Sequence, residues 1–253
     1  MSDTKTFVWY ELLTNDPTTA RAFYTELLPW TAKDSEQMPG YTMINVSGTD
    51  DVVGGLMELG EDMAKMGAPN HWALYINCDD VDAACKRAEK ARGKILMAPF
   101  DIPGIGRTAI ISDPQGGVFS PFKGAEDMPA VPRPPDHTFC WSQVMTKDVK
   151  AAAEFYNAVF GWDAEPMPQG VVFKEGERMV ASAMPLPEGA QAPAHWLNYV
   201  AVPDVDAVYA KAAELGATRY HAPTDMPGMG RFAVLADPTG ATFALWTDAS
   251  AQG

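Results

Sequence analysis

Residues 7–16, FVWYELLTND, return as residues 139–148, FCWSQVMTKD, at an offset of 132 positions. Extending the comparison over 7–30 and 139–162 gives eight identities in 24 positions, including the pairs Phe23/Phe155, Tyr24/Tyr156 and Trp30/Trp162. A repeat of this length indicates a duplicated structural unit, so the two halves of the chain are predicted to share one fold.

Four further segments repeat downstream, where the offset falls to 124 positions. They are His71-Trp72 with His195-Trp196, Asp80-Val81-Asp82-Ala83 with Asp204-Val205-Asp206-Ala207, Pro103-Gly104-x-Gly106-Arg107 with Pro227-Gly228-x-Gly230-Arg231, and Asp113-Pro114-x-Gly116 with Asp237-Pro238-x-Gly240. The second half has therefore lost eight residues between Trp162 and His195, and we place this loss in loops or a hairpin. The predicted domains are 1–124 and 137–253, joined by a stiff, proline-rich linker over 125–136.

Each half also contains a smaller repeat of one helix and several strands. Residues 7–13 are predicted as a strand, and Asp16-Pro17 then begins a helix over 17–28 whose equivalent is 149–160. Further strands of the first half are predicted at 41–47, 52–58, 71–77, 94–98, 107–112 and 118–122, with a helix capped by Asp80 and ended by Gly93. The chain is therefore predicted to be α+β, with two tandem domains that each fold two βαβββ units into a curved sheet around a cleft.

These motifs resemble the vicinal oxygen chelate superfamily, which includes glyoxalase I, bleomycin-resistance proteins and extradiol dioxygenases. The matching residues are Thr14-x-Asp16, Phe23-Tyr24, Trp30, His71-Trp72, Asp80-Val81-Asp82 and Asp113-Pro114-x-Gly116, and their second-half copies extend the resemblance over nearly the whole chain. Tandem-domain proteins labelled glyoxalase-like or hydroxylase are the most similar kind. The resemblance implies the fold but no single reaction, because one fold hosts many chemistries.

The resemblance also implies where metal ligands would lie, since metal-using members place His, Glu or Gln side chains on the first, fourth, fifth and last strands of a domain. The fifth-strand position falls on His71 and His195, which keep the ligand type. The first-strand position falls on Trp9 and Trp141, and the last-strand position on Ser120 and Ala244, none of which fits. On the fourth strand only Glu58 is a candidate, and residues 181–185 offer none.

Too few ligands converge for a metal centre, which needs at least three. We therefore expect no catalytic metal and no other cofactor. The alternative is a divalent metal in the first half only, held by Glu11, Glu58 and His71.

The candidate functional residues lie on the strand faces predicted to line the two clefts. His71 and His195 are the candidate catalytic residues, as hydrogen-bonding groups or general bases; the alternative is a half-buried histidine satisfied by backbone. The candidate ligand-binding residues are Trp9, Glu11, Tyr75 and Phe122 in the first half and Trp141, Gln143, Tyr199 and Trp246 in the second. Their aromatic rings indicate a pocket for a flat or apolar organic molecule, or else ordinary core between two sheets.

Two charged motifs are predicted to be structural. The Pro-Gly-x-Gly-Arg segments precede strands rather than helices, so they are interpreted as turns and not as phosphate loops. Arg107 and Arg231 are predicted to pair with a nearby carboxylate or carbonyl, the alternative being a clamp for a substrate carboxylate. The Asp79-Asp80-x-Asp82 cluster is interpreted as helix capping and dipole compensation.

Three functions remain open on this basis. The first is metal-independent binding of a small organic molecule in one or two aromatic clefts, which covers sequestration as in drug-resistance proteins and a mild lyase or isomerase activity of His71 and His195. The second is a metal-dependent lyase, isomerase or dioxygenase with one active site in the first half. The third is a non-catalytic interaction protein whose clefts are closed by side chains. Substrate and reaction are not determined by the residues.

Composition limits the partners and the location. The formal net charge is −14, and neither half is basic, which argues against nucleic acid and anionic membranes as partners. The three cysteines contain no CxxC pair, so neither a disulfide framework nor a thiolate zinc site is expected. There is no apolar leader and no apolar run long enough to span a membrane, so a soluble cytoplasmic protein is predicted. A monomer is expected, because two domains in one chain can supply the pairing that single-domain relatives achieve by dimerising.

Overall fold

The computed structural model describes residues 6–65, 67–126, 135–190 and 192–249, and these contain a repeated series of strands and helices. The elements of the first half are β1 (Phe7–Thr14), α1 (Pro17–Leu27), β2 (Trp30–Asp34), β3 (Tyr41–Val46), β4 (Val52–Glu58), α2 (Glu61–Lys65), β5 (His71–Asn77), α3 (Val81–Lys90), β6 (Lys94–Ile102), β7 (Gly106–Ser112) and β8 (Val118–Gly124). Those of the second half are β9 (Phe139–Thr146), α4 (Val149–Phe160), β10 (Asp163–Met167), β11 (Gly170–Glu175), β12 (Arg178–Pro185), β13 (His195–Ala201), α5 (Val205–Glu214), β14 (Thr218–Met226), β15 (Gly230–Ala236) and β16 (Thr242–Asp248).

The strands form two eight-stranded mixed sheets, one from each half. Their orders are β2-β3-β4-β1-β5-β8-β7-β6 and β10-β11-β12-β9-β13-β16-β15-β14. Strand β1 is parallel to β4, and β5 is parallel to β8, while the hairpins β2–β3, β3–β4, β6–β7 and β7–β8 are antiparallel. The predicted α+β class, with two βαβββ units in each half, is confirmed. None of the helices in the described residues has the length and apolar composition needed to cross a membrane.

The sequence located most elements to within a few residues but missed three features. Strand β2, with its short exposed run, and helix α2, with five residues and no buried side chain, carry too little apolar periodicity to be recognised. Strand β6 continues through Pro99 to Ile102, beyond the predicted end at residue 98. Strand β6 lies at the edge of its sheet, and its register with β7 shifts twice. A proline is tolerated there because an edge strand has a partner on one side only.

Three connections of the second half are together ten residues shorter, while α4 and β12 are each one residue longer than α1 and β4, which gives the net loss of eight. The β2–β3 connection shortens from residues 35–40 to 168–169, and the β3–β4 connection from 47–51 to 176–177. The segment that contains α2, residues 59–70, is replaced by residues 186–194. The predicted location of the loss in loops is therefore confirmed, because no strand or long helix disappears.

Four helices begin at an aspartate whose side chain accepts a hydrogen bond from the backbone N–H three residues later. The capping pairs are Asp16–Thr19, Asp80–Ala83, Asp148–Ala151 and Asp204–Ala207, at 2.9–3.0 Å. The neighbouring Asp82 pairs with Arg107 through both guanidinium nitrogens Nε and Nη2 at 2.7 and 3.1 Å, and Asp101 accepts from Nη1 at 3.0 Å. Arg231 repeats this with Asp206 and Asp225. Both interpretations, helix capping and arginine–carboxylate pairing, are confirmed.

The described residues divide into two compact units that do not coincide with the two sequence halves. Unit 1 contains residues 6–8, 73–126, 141–190 and 192–197, and unit 2 contains 9–65, 67–72, 135–140 and 198–249. Each unit thus combines one βαβββ repeat of the first half with one of the second. The boundaries 1–124, 125–136 and 137–253 stay a prediction, and residues 127–134 of the predicted linker lie outside the described residues.

The core of unit 1 forms where α4 packs on β8. Phe119 of β8 contacts Phe155, Tyr156 and Phe160 of α4 at ring-centroid distances of 5.5–6.1 Å. A buried polar chain crosses this core: Trp196 Nε1 donates to Tyr156 Oη at 3.1 Å, and Tyr156 Oη donates to Asp113 Oδ2 at 3.0 Å. The Asp-Pro-x-Gly turn of the first half is therefore tied to a helix of the second.

Unit 2 repeats this core with the halves exchanged. Trp72 Nε1 donates to Tyr24 Oη at 2.8 Å, and the buried Asp237 faces the same hydroxyl. Burial, and then the charge of Asp237, raise the pKa of Tyr24 well above its usual value, so the phenol stays protonated. Phe243 completes the cluster with ring-centroid distances of 5.5 Å to Tyr24 and 6.3 Å to Phe23.

Candidate functional site

In unit 2, β1 and β3 bring together an indole, a phenol and a carboxylate. Trp9 and Glu11 are two residues apart on β1 and therefore share one face of the strand. Trp9 Nε1 donates to Tyr41 Oη at 2.9 Å, and Tyr41 in turn donates to Glu11, whose residue surface is only 7% exposed. Burial, followed by the negative charge of Glu11, raises the pKa of Tyr41 above its usual value, which keeps the phenol neutral and able to donate. We call these three residues the first-half cluster.

A glycine makes this arrangement possible. In the parallel register of β1 and β4, Gly55 lies opposite Glu11. A Cβ atom at Gly55 would stand 1.9 Å from Tyr41 Oη and 2.3 Å from Cζ, so any side chain there would occupy the position of the phenol. Because Gly55 has no side chain, the phenol of Tyr41 can lie over β4 and reach β1.

In unit 1, β9 and β12 form a related second-half cluster of Trp141, Gln143 and Ser182. Trp141 Nε1 donates to Ser182 Oγ at 3.0 Å, and Ser182 Oγ donates to Gln143 Oε1 at 3.2 Å. Ser182 lies opposite Gln143 in the β12–β9 register, which is the position that Gly55 has opposite Glu11. Gln143 Nε2 is 3.0 Å from Met145 Sδ.

In both clusters an indole N–H donates to a hydroxyl, and that hydroxyl donates to a side-chain oxygen. The hydroxyl comes from a different strand in each half. It belongs to Tyr41 on β3 in the first half and to Ser182 on β12 in the second. The sequence predicts Trp9, Glu11, Trp141 and Gln143 but neither hydroxyl, and residues 181–185 contain no predicted metal ligand. Only the strand registers reveal Ser182, because the offset between the halves changes within this region.

The two histidines make equivalent hydrogen bonds to backbone carbonyl groups. His71 Nδ1 is 2.7 Å from the carbonyl oxygen of Pro69, and His195 Nδ1 is 3.0 Å from that of Pro193. A carbonyl can only accept, so Nδ1 carries the proton and Nε2 of a neutral ring is left as an acceptor. Burial lowers the pKa of His71 from its usual value, despite the opposing effect of the Pro69 carbonyl. His71 is therefore neutral at pH 7.

This lowered pKa predicts a specific dependence of stability on pH. In the unfolded chain the imidazole takes up its proton near pH 6.5, whereas in the folded protein it does so only at lower pH. The unfolded state therefore binds more protons in this window, and the His71 contribution to stability falls as pH drops from about 6.5 toward the lowered pKa. Urea unfolding at pH 7.5 and 5.5 is expected to show a larger loss for wild type than for H71Q, in which this titration is absent. An NMR titration giving His71 a pKa of about 6.5 or above would contradict the prediction.

The remaining predicted aromatic residues lie on the strands β5, β8, β13 and β16. In unit 1, the rings of Tyr75 and Phe122 meet edge-on with centroids 6.0 Å apart. In unit 2, Tyr199 is buried and pairs in register with Ala244, while Trp246 lies two residues further along β16. A Cβ atom at Gly230 would come within 2.7 Å of the Trp246 ring, so this glycine accommodates the indole. Their role in ligand binding stays a prediction.

The donor set does not fit a three-ligand metal centre in the described residues. Glu58 pairs in register with Thr14, three residues after Glu11, so it projects from the opposite face of the sheet, and its side chain is exposed. The last-strand positions hold Ser120 and Ala244, both buried and neither a carboxylate. Within the part of the chain that the structure describes, no three His, Cys, Asp or Glu side chains are grouped so as to hold an ion. The alternative metal site of Glu11, Glu58 and His71 is therefore wrong, because Glu58 does not lie on the same face as Glu11.

Comparison with known families assigns the class of protein. The profile of the Glyoxalase/Bleomycin resistance protein/Dioxygenase superfamily matches residues 6–119, and that of the Glyoxalase-like domain matches residues 141–246. The chain therefore belongs to this superfamily, the vicinal oxygen chelate superfamily, as a member with two tandem domains, and the predicted resemblance is confirmed.

Individual relatives of similar length fall into two named groups. "Putative glyoxylase CFP32" of Mycobacterium bovis is 34% identical over 253 residues, covering 96% of this chain and 95% of its own. "Anthracycline biosynthesis protein DnrV" of Streptomyces peucetius is 32% identical, covering 94% and 91%.

Among solved structures, the Mn(II)-bound glyoxalase from Novosphingobium aromaticivorans has a TM-score of 0.66 at 15% identity, covering 98% of this chain and 83% of its own. The 2,2',3-trihydroxybiphenyl 1,2-dioxygenase of Sphingomonas wittichii has a TM-score of 0.62 at 14% identity, covering 96% and 90%. At these identities the structural likeness concerns the fold alone.

Proposed function

We propose that this protein binds a small, planar organic molecule against the indoles of Trp9 and Trp141, and does so without a catalytic metal. The observation that carries the proposal is the hydrogen-bonded order of indole, hydroxyl and side-chain oxygen in each half. Where metal-using relatives would place a first-strand ligand, this chain has an indole whose N–H is already bound to a hydroxyl. The indole is thereby held with a fixed orientation and can present its face to an aromatic ring.

The other groups of the two halves support the same function. Trp9, Tyr41, Trp141 and Gln143 are each only partly buried, so part of every cluster is accessible to a small molecule. His71 and His195 each bind a backbone carbonyl through Nδ1, so Nε2 is the ring nitrogen that remains for a ligand hydroxyl. The relative named for anthracycline biosynthesis is consistent with a planar polycyclic ligand. A monomer in the cytoplasm, with no nucleic acid or membrane partner, belongs to the same proposal.

The test is a titration of protein purified without chelator with 1,4-dihydroxyanthraquinone, a planar tricyclic probe. Binding is expected to shift the indole ¹H–¹⁵N resonances of Trp9 and Trp141, which W9F and W141F assign, more than those of the other five tryptophans. The dissociation constant is expected to be the same before and after dialysis against EDTA. Affinity that disappears with EDTA and returns with Mn²⁺ would contradict metal independence, and unchanged indole resonances would contradict the proposed site.

A further inference from the structure

We infer that the two halves select ligands with opposite functional groups: the first-half cluster takes a hydrogen-bond donor or cation, and the second-half cluster takes a carbonyl acceptor. This inference rests on the proposed function and specifies its ligand class. It comes from one difference between otherwise parallel clusters, the exchange of Glu11 for Gln143. A carboxylate offers only acceptors, whereas an amide also offers two N–H donors.

The direction of hydrogen bonding in the second half leaves the amide donors of Gln143 for a ligand. Ser182 Oγ accepts from Trp141 Nε1 and therefore has one proton of its own to donate. That proton goes to Gln143 Oε1, which fixes the amide with Nε2 on the other side. The partner of Nε2 is Met145 Sδ at 3.0 Å, and a thioether is a weak acceptor. A ligand carbonyl oxygen would be a much better one.

The first-half cluster has the opposite preference. Glu11 is more deeply buried than Gln143, and Tyr41 donates to its carboxylate. Two carboxylate oxygens can accept about four hydrogen bonds, so an ammonium or phenol of a ligand is a suitable donor to this group. A carbonyl oxygen brought to the same place would face carboxylate oxygens, acceptor against acceptor, which disfavours it.

The two halves also differ in the side chain that supplies the hydroxyl beside the indole. In the first half the ring of Tyr41 lies there, reaching over Gly55. In the second half a serine supplies the hydroxyl from the neighbouring strand, and no phenol ring is used. The second-half cluster therefore contains one aromatic ring, that of Trp141, where the first-half cluster contains two.

The experiment uses two naphthalenes of the same size that differ in one group. 2-Acetylnaphthalene presents a carbonyl, and 1-(2-naphthyl)ethylamine presents an ammonium at pH 7. In the wild-type protein, the ketone is expected to shift the indole resonance of Trp141 and the amine that of Trp9. Titrations then give a dissociation constant for each compound at each indole.

Two reciprocal variants test the cause, and each introduces the residue that the other half already has. E11Q is expected to weaken amine binding at Trp9 by about tenfold or more, and Q143E to weaken ketone binding at Trp141 by a similar factor, as expected for a hydrogen bond to a charged or strongly polar group. Each variant is also expected to gain affinity for the other compound. Circular dichroism and the unchanged indole of the untouched half report that the variant is folded.

The possible results test the ligand class and the proposed function separately. If both compounds bind at both indoles with equal affinity, or if the exchanges leave the ratio of the two dissociation constants unchanged, the inference about ligand class is overturned while small-molecule binding stands. If neither naphthalene perturbs Trp9 or Trp141, the proposed function fails together with the inference.

Discussion

Y156F is expected to lower the free energy of unfolding by about 2–3 kcal/mol, although it removes a single oxygen atom. The hydroxyl of Tyr156 accepts from Trp196 Nε1 and donates to Asp113 Oδ2, and all three side chains are buried. Without it, one indole N–H and one carboxylate oxygen remain in the core with no partner. Burial and the charge of Asp113 raise the pKa of Tyr156 well above its usual value, so the donor is present at every pH of interest.

Urea denaturation followed by circular dichroism measures this loss. The matched control is Y220F, which deletes the same atom from a side chain that is 62% exposed and is expected to change stability by less than about 0.5 kcal/mol. Equal stabilities of Y156F and Y220F would mean that the polar chain through unit 1 contributes nothing to the fold.

G55A is expected to cost about 2 kcal/mol and to dismantle the first-half cluster. The added methyl group would overlap Tyr41 Oη, so the phenol must leave its place above β4. Trp9 Nε1 then loses its acceptor and Glu11 loses a donor. The indole resonance of Trp9 is expected to move, and binding of an aromatic amine there to weaken, while Trp141 in the other unit keeps its resonance.

The control for this variant is G60A, in the same unit. Nothing lies within 4 Å of a Cβ atom at Gly60, and its backbone is not in the left-handed region, so the substitution is expected to be neutral or slightly stabilising. A G55A protein with wild-type stability and an unmoved Trp9 resonance would show that Tyr41 does not occupy the position on which the cluster depends.

Much of the candidate site could be predicted from the repeat. The residues that could not be predicted are those brought in by neighbouring strands. Trp9 and Glu11, or Trp141 and Gln143, share a face because they are two residues apart on one strand. Tyr41 and Ser182 join them from elements at least 30 residues away. The offset between the halves changes within that interval, so aligning the halves does not match Tyr41 with Ser182.

The Asp-Pro-x-Gly motif shows the same division. The sequence predicts a tight turn, and the structure agrees, with Asp113 Oδ1 accepting from the backbone N–H groups of Gln115 and Gly117 at 2.8 and 2.9 Å. What the motif does not reveal is that the second carboxylate oxygen reaches Tyr156, 43 positions away in the other half.

The amino-acid sequence by itself determined the duplication, the α+β class, the capped helices and most strands, because each depends on residues within a few positions of one another. Tertiary structure decided which hydroxyl completes each cluster, on which face Glu58 projects, and how repeats of different halves combine into each compact unit. These follow from strand register and packing between distant segments, where a shift of one residue turns a side chain to the other face of the sheet.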